Sequence, residues 1–169
     1  MIYADEATFR QDSTLHWTWG RRGYQPEVPV TGQRKSIKVF GGVEVYSGRF
    51  LYRRDTVFNA ATYLNFLEQA ARAYYPQPVF WIQDNASYHK DADVYAWFSD
   101  HRKWWTVFLL PPYSPELNAE ERIWRHTRLT GTHNRYFVTI DELDRTLTRV
   151  FRSIQQTPEQ IRGYLYPFL

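Results

Sequence analysis

The chain has 169 residues, 43% of them hydrophobic and 23% charged, which fits one domain with its own core and excludes a disordered polar chain. No run approaches the ~20 apolar residues of a membrane-spanning helix, and the acidic opening MIYADEATFRQD lacks the basic-then-apolar pattern of a signal peptide, so a cytoplasmic protein is expected. Cysteine is absent and the net charge is +3 with arginine in excess over lysine, which removes thiol chemistry, leaves oxygen or imidazole to hold any metal, and suits contact with phosphate.

IYADEATF alternates apolar and polar residues, the pattern of a strand that carries Ile2 and Ala4 on one face and Tyr3 and Asp5 on the other. LHWTWG reads as a second short strand, and Gly20, Gly23, Pro26 and Pro29 then mark a loop that contains Arg21 and Arg22. SIKVFGGVEVYSGRFLY predicts strand, bulge or kink at Gly41-Gly42, strand, tight turn at Ser47-Gly48, and strand.

Asn59 is placed to cap a helix in which Tyr63, Leu64, Phe66, Leu67, Ala70, Ala71 and Tyr74 recur at helical spacing until Pro76. VFWIQDN reads as a buried strand whose last residues emerge at the sheet edge. A helix over about 91–100 follows, then the strand WWTVFLL, a helix starting near Asn118, another over about 140–154, and a tail with Pro158 and Pro167. The sum is an α/β fold: three antiparallel strands, then parallel strands, in a mixed sheet with helices on both faces.

Three acids stand out by placement: Asp5 on the first strand, Asp84 closing a buried strand, and Glu121 in the first turn of a helix. Phosphoryl transfer with two metal ions needs such a set, because hard cations held by carboxylate oxygens must keep positions open for phosphate and nucleophile. Neighbours on a strand point to opposite faces, so of Asp5 and Glu6 only one serves the site, and Asp5 is the choice. Singly, each acid has a plainer reading: an edge charge for Asp5, and for Glu121 the end of a near capping box that starts at Asn118. Asp84 is harder to dismiss, since a carboxylate at the end of an apolar run needs a metal, an ion pair or hydrogen bonds.

WIQDNASYHK and LPPYSPELNAEERIW resemble the two hallmark segments of DDE transposases of the bacterial insertion-sequence branch related to the mariner superfamily, which read roughly DNxxxH and LPPYSPxLNPIExxW. IYADEATF and WTWGRRGYQP are similar to that family's first catalytic strand and the strand and turn after it. The segments come in order, with 36 residues between Asp84 and Glu121. Ala119 and Glu120 stand where the family usually has Pro and Ile, so Glu120 competes with Glu121 for the metal-facing place; the register from Tyr113-Ser114-Pro115, with Trp124 at i+3, favours Glu121.

The resemblance implies a ribonuclease H-like fold in which Asp5, Asp84 and Glu121 are the catalytic and metal-binding residues. Asn85, His89, Glu6 and Glu120 would support them. It also implies two Mg²⁺ or Mn²⁺ ions, in-line displacement at phosphorus, joining into TA targets, transposon ends and target DNA as partners, and a homodimer in the DNA complex. The whole of 1–169 would be one catalytic domain. The helix-turn-helix region such transposases carry ahead of it has no counterpart before Met1, so this chain by itself is expected to read DNA sequence poorly.

Candidate DNA contacts are Arg21, Arg22, Arg34, Lys35 and Lys38, with Arg125 and Arg128 preferred to Arg122 because they share a helical face with Glu121. Trp17, Trp19, Trp104 and Trp105 are assigned mostly to the core, Trp19 being the one most suited to meet a base or sugar. Two other readings compete: a different nuclease of the same fold, which would cut without joining, and a domesticated DNA-binding module whose acids no longer hold metal. Carbohydrate binding rests only on aromatic density and paired acids, and YSPELN argues for the transposase.

Overall fold

The computed structural model describes residues 1–169. Five strands form one mixed sheet in the order β3-β2-β1-β4-β5. Strands β1 (Ile2–Arg10), β2 (Ser36–Glu44) and β3 (Phe50–Asp55) are antiparallel, whereas β4 (Val79–Gln83) and β5 (Trp105–Leu109) run parallel to β1. The helices are α1 (Ala60–Tyr74), α2 (Ala92–His101), α3 (Glu120–Thr127), α4 (Ile140–Gln156) and α5 (Glu159–Leu165).

Strand alternation divides the core in two. Ile2, Ala4, Phe40 and Trp81 face α1 and α2, where Tyr63, Phe66, Leu67, Val94 and Trp97 cover them. Ala7, Phe9, Val39 and Val43 face the other way, onto Ile123 and Trp124 of α3, Leu143, Leu147 and Phe151 of α4, and Ile161 and Leu165 of α5. Full burial of each large apolar side chain contributes roughly 1.5–3 kcal/mol.

Local chemistry sets the helix starts. Asn59 accepts from the Thr62 backbone at 2.9 Å, while Thr62 Oγ1 accepts from the Asn59 backbone at 3.1 Å, a reciprocal cap for α1. Thr139 caps α4 by accepting from the Glu142 backbone at 3.3 Å.

Four expectations need correction. LHWTWG forms no strand: residues 13–35 make an irregular, mostly exposed excursion between β1 and β2, so Trp17 is 95% and Trp19 100% exposed rather than in the core. Alternation alone cannot make a strand where no neighbouring strand offers a ladder. Gly41-Gly42 brings no bulge, because β2 pairs with β1 in unbroken register from Ser36 to Glu44. The C-terminal tail is helical over α5, packed through Ile161 and Leu165.

Gly41 serves packing instead. A Cβ there would lie 2.3 Å from Glu120 Oε1 and 2.5 Å from the Trp124 ring, so its absence lets α3 press onto the sheet directly opposite Asp5, the β1 residue paired with Gly41. Gly41→Ala should destabilise the fold by about 2–3 kcal/mol, read as a lowered urea midpoint. Wild-type stability in that variant would show that α3 is free to shift outward.

Candidate active site

The parallel ladder between β1 and β4 consists of Ile2 with Trp81 and Tyr3 with Ile82; continued in register, it brings Asp5 level with Asp84. The strands part at that point, which opens a crevice at the C-terminal end of β4, the usual place for chemistry in such sheets. Gln83 turns toward α1, where its Oε1 accepts from the Tyr63 hydroxyl, so Asp84 takes the opposite face, the one that carries Asp5 and α3.

Glu121 comes from the first turn of α3. Asp5, Asp84 and Glu121 line one open cavity together with Asn85, Lys90, Asn118 and the loop from Leu110 to Pro115. Two contacts fix α3 against β1. Asn118 Oδ1 accepts from the Glu120 backbone at 3.1 Å while its amide nitrogen reaches the Ala4 carbonyl at 3.5 Å. Trp124 Nε1 donates to Asp5 Oδ2 at 3.2 Å.

The carboxylates are poorly neutralised. Burial, then the charges of Glu6, Glu121 and Asp84, push Asp5 up to about 8. Lys90 lines the same cavity but makes no ion pair. Asp84 goes the other way: a hydrogen bond from His89 holds it below the usual carboxylate range.

His89 is buried among the rings of Tyr63 and Tyr88. Its Nε2 lies 3.1 Å from Glu6 Oε1 and its Nδ1 3.2 Å from Asp84 Oδ1. Burial opposes its charge, but the hydrogen bonds to Asp84 and Glu6 outweigh it and raise the imidazole to about 9. Glu6, on the face opposite Asp5, therefore reaches the site through His89 rather than through the cavity.

Glu120 and Glu121 part company. Glu121 lines the cavity; Glu120 is fully buried over Gly41, with neither carboxyl oxygen hydrogen-bonded. Burial and then the charges of Asp5 and Glu121 push its pKa well above the ordinary carboxylate value.

Two groupings could hold a divalent ion. Glu6, Asp84 and His89 bring one ligand atom each within 4.8 Å of one another, a compactness that Asp5, Asp84 and Glu121 do not have. Yet His89 has each ring nitrogen within hydrogen-bond distance of a carboxylate, so it would have to give up one of these contacts to ligate a metal. The open cavity of Asp5, Asp84 and Glu121 offers carboxylate oxygens, of which only those of Asp84 have a cationic partner, and so fits hard cations; a pair of ions spans more space than a single one.

None of the basic residues expected at DNA lines this cavity. Arg21, Arg22, Arg34 and Lys35 are exposed along the 13–35 excursion and its return to β2. Lys38 on β2 sets its ammonium 4.7 Å from the Phe58 ring centre. On the α3 side Arg125 is exposed and Arg128 lies 5.5 Å from the Phe9 ring centre. The tethers Asn118 and Trp124 were visible in sequence as a helix start and a motif Trp; no signal there tied them to Ala4 and Asp5.

A mixed five-stranded sheet with acids from β1, from the end of β4 and from α3 at one edge is the frame of the ribonuclease H-like proteins. A family model described as DDE superfamily endonuclease matches residues 1–144, and the chain belongs to that family. The chain is similar to an uncharacterized 39 kDa protein of insertion element IS630 from Shigella sonnei, 24% identical over 136 residues covering 79% of this chain and 39% of the relative. It is also similar to the Tcb2 transposase of Caenorhabditis briggsae, 26% identical over 136 residues, 74% of this chain and 49% of the relative. The chain thus spans less than half the length of either relative.

Among solved structures, the Mos1 mariner paired-end complex with Mn superposes with a TM-score of 0.67 at 16% identity, over 98% of this chain and 53% of the other. The Mos1 strand transfer complex gives 0.66 at 18%, with the same coverage. At these identities the likeness establishes the fold.

A pH test follows from Asp5. Its folded value of about 8 lies above the unfolded value of about 3.9, so without metal the folded state holds the proton more tightly, and stability falls as pH rises between the two. In EDTA, Asp5→Asn should flatten that fall and gain on the order of 1–3 kcal/mol at pH 8. An unchanged pH profile of Tm would count against the crowding of charge at Asp5.

Proposed function

We propose that residues 1–169 act as the catalytic domain of a DNA transposase, with Asp5, Asp84 and Glu121 as the catalytic, metal-binding carboxylates. The observation that carries this reading is that three acids from separated elements line one open cavity, with no Lys or Arg paired to any of them and only His89 at Asp84. Bound there, two Mg²⁺ or Mn²⁺ ions would supply Lewis-acid activation of the attacking hydroxyl and neutralise charge on the leaving oxygen. Mos1 mariner paired-end complexes of this fold hold Mn in one case and Mg in another.

The chain's own residues hold and aim. Asp5 is steadied by the Trp124 indole, Asp84 by His89, and His89 by Glu6, while Asn85 sits at the cavity wall within reach of a phosphate. In the first step a water oxygen bonds to phosphorus and the bond from phosphorus to the 3′ oxygen breaks, with the proton passing to that oxygen. The freed 3′-hydroxyl then attacks a phosphate of the target strand, by analogy within a TA step, and expels the next 3′ oxygen. No side-chain nucleophile is required.

Arg21, Arg22, Arg34, Lys35, Lys38, Arg125 and Arg128 would contact DNA phosphates. A homodimer on paired DNA ends is part of this reading, supported by the likeness of the fold to that of Mos1 paired-end complexes.

Precut oligonucleotide ends and plasmid DNA with Mn²⁺ provide the test. The protein should nick and join, and Asp84→Asn and Glu121→Gln should each reduce the rate at least about 100-fold. Cutting without joined product would favour another nuclease of this fold. Equal heats of Mn²⁺ binding by wild type and Asp84→Asn would remove the metal site.

A further inference from the structure

A second polar cavity lies on the α3 side of the sheet, away from the carboxylates. It is walled by Arg10 at the end of β1, Ser13 and Thr14 just beyond, and Arg128, Thr132 and His133 after α3. Long-range contacts hold the walls together. Gln11 donates to the carbonyls of Phe137 and Val138 at 3.1 and 3.0 Å, Ser13 donates to the Arg135 carbonyl, and Thr14 Oγ1 meets His133 Nδ1 at 2.8 Å. The cavity is therefore a built feature joining segments more than a hundred residues apart.

Its chemistry is one-sided. Two guanidinium groups face it and no carboxylate lines it. Neither Arg10 nor Arg128 has an acidic partner. Arg128 is propped over the Phe9 ring, 5.5 Å from its centre, which limits its freedom and lowers the entropy lost on binding. The nearest acid in sequence, Asp12, is spent elsewhere: it accepts from the backbone and hydroxyl of Thr31, both at 2.7 Å, and from the Gly32 backbone at 2.8 Å. Two arginines without acidic partners, lining one polar cavity, are what a phosphate diester needs.

Position gives the cavity its meaning. Two elements lead from the carboxylates to it: β1 from Asp5 to Arg10, about 16 Å at ~3.3 Å per residue, and α3 from Glu121 to Arg128, about 10 Å at 1.5 Å per residue. We propose that the notch between Arg10 and Arg128 binds a backbone phosphate of the DNA strand whose reacting phosphate sits at the carboxylates. At ~3.4 Å of axial rise per nucleotide, the bound phosphate lies about three to five nucleotides away. The notch positions the strand and sets its direction across the cavity; it reads no base. This rests on the DNA reading of the carboxylate site and adds a separate subsite to it.

Anisotropy of a labelled precut-end duplex, titrated with salt in EDTA, tests the notch on this chain. Arg10→Ala, an exposed change, should lower the slope of log affinity against log salt by about 1, and Arg128→Gln should do the same. Unchanged Tm for Arg10→Ala excludes unfolding as the cause. One uncharged methylphosphonate placed three to five nucleotides from the reacting phosphate should weaken wild-type binding about fivefold and add nothing in Arg10→Ala. A wild-type slope in Arg10→Ala, or a methylphosphonate penalty undiminished in it, would overturn the notch while leaving the carboxylate reading intact. Failure of the wild type to bind DNA at all would overturn both.

Discussion

The close approach of α3 to the sheet at Gly41 is the constraint on which the rest of the site depends. Because β2 carries no side chain opposite Asp5, Glu120 and Trp124 can settle against the strand itself. That contact fixes the rotation of α3. It turns residue 120 into the core and residue 121 out to the cavity, and it delivers the Trp124 indole to Asp5. Any bulk at position 41 would lift the helix and separate Glu121 from the two aspartates together. The site is assembled from packing, and the acids ride on it.

Its electrostatics run against stability. Asp5 is crowded by Glu6, Glu121 and Asp84 with no cation to answer them, and Glu120 is buried without a hydrogen bond. A fold tolerates such an arrangement only where other packing over-determines it; here two large apolar layers on either face of the sheet supply the surplus. His89 offsets part of the charge. Held between Asp84 and Glu6 on opposite faces of the strands, it ties the acid facing the cavity to one that is not. A histidine in that place orients the carboxylate and leaves metal binding to oxygen.

Charge on the outside is arranged differently. Apart from Lys90, the basic residues keep away from the carboxylate cavity, where they would compete with divalent ions for the same acids. They lie along the exposed 13–35 excursion, on β2, and down α3 to the notch at Arg10 and Arg128. On the proposed function, separating the basic groups from the acidic ones would let one strand of nucleic acid be held by its flanking phosphates while a single phosphate meets the carboxylate site. The 13–35 excursion also explains why its aromatic residues mislead in sequence. Trp17 and Trp19 look like core by composition, yet no strand or helix of this domain lies over them.

By itself the sequence determined the α/β class and the order of nearly every strand and helix, and it singled out three acids that the fold brings to the lining of one cavity. Period-2 and helical patterns, Asn59 and Pro76 are local signals, and the DN and YSPELN segments are local motifs. Three things lay beyond it. It could not show that LHWTWG pairs with nothing, since a strand needs a partner as well as alternation. It left Glu120 and Glu121 as rivals, because a one-residue choice on a helix is decided by the rotation of that helix against Gly41. It also gave no hint that Arg10 and Arg128 face each other. The reason is the same in each case: side-chain direction and long-range pairing are set by how elements pack, and a pattern read along the chain holds only what neighbours within a few residues impose.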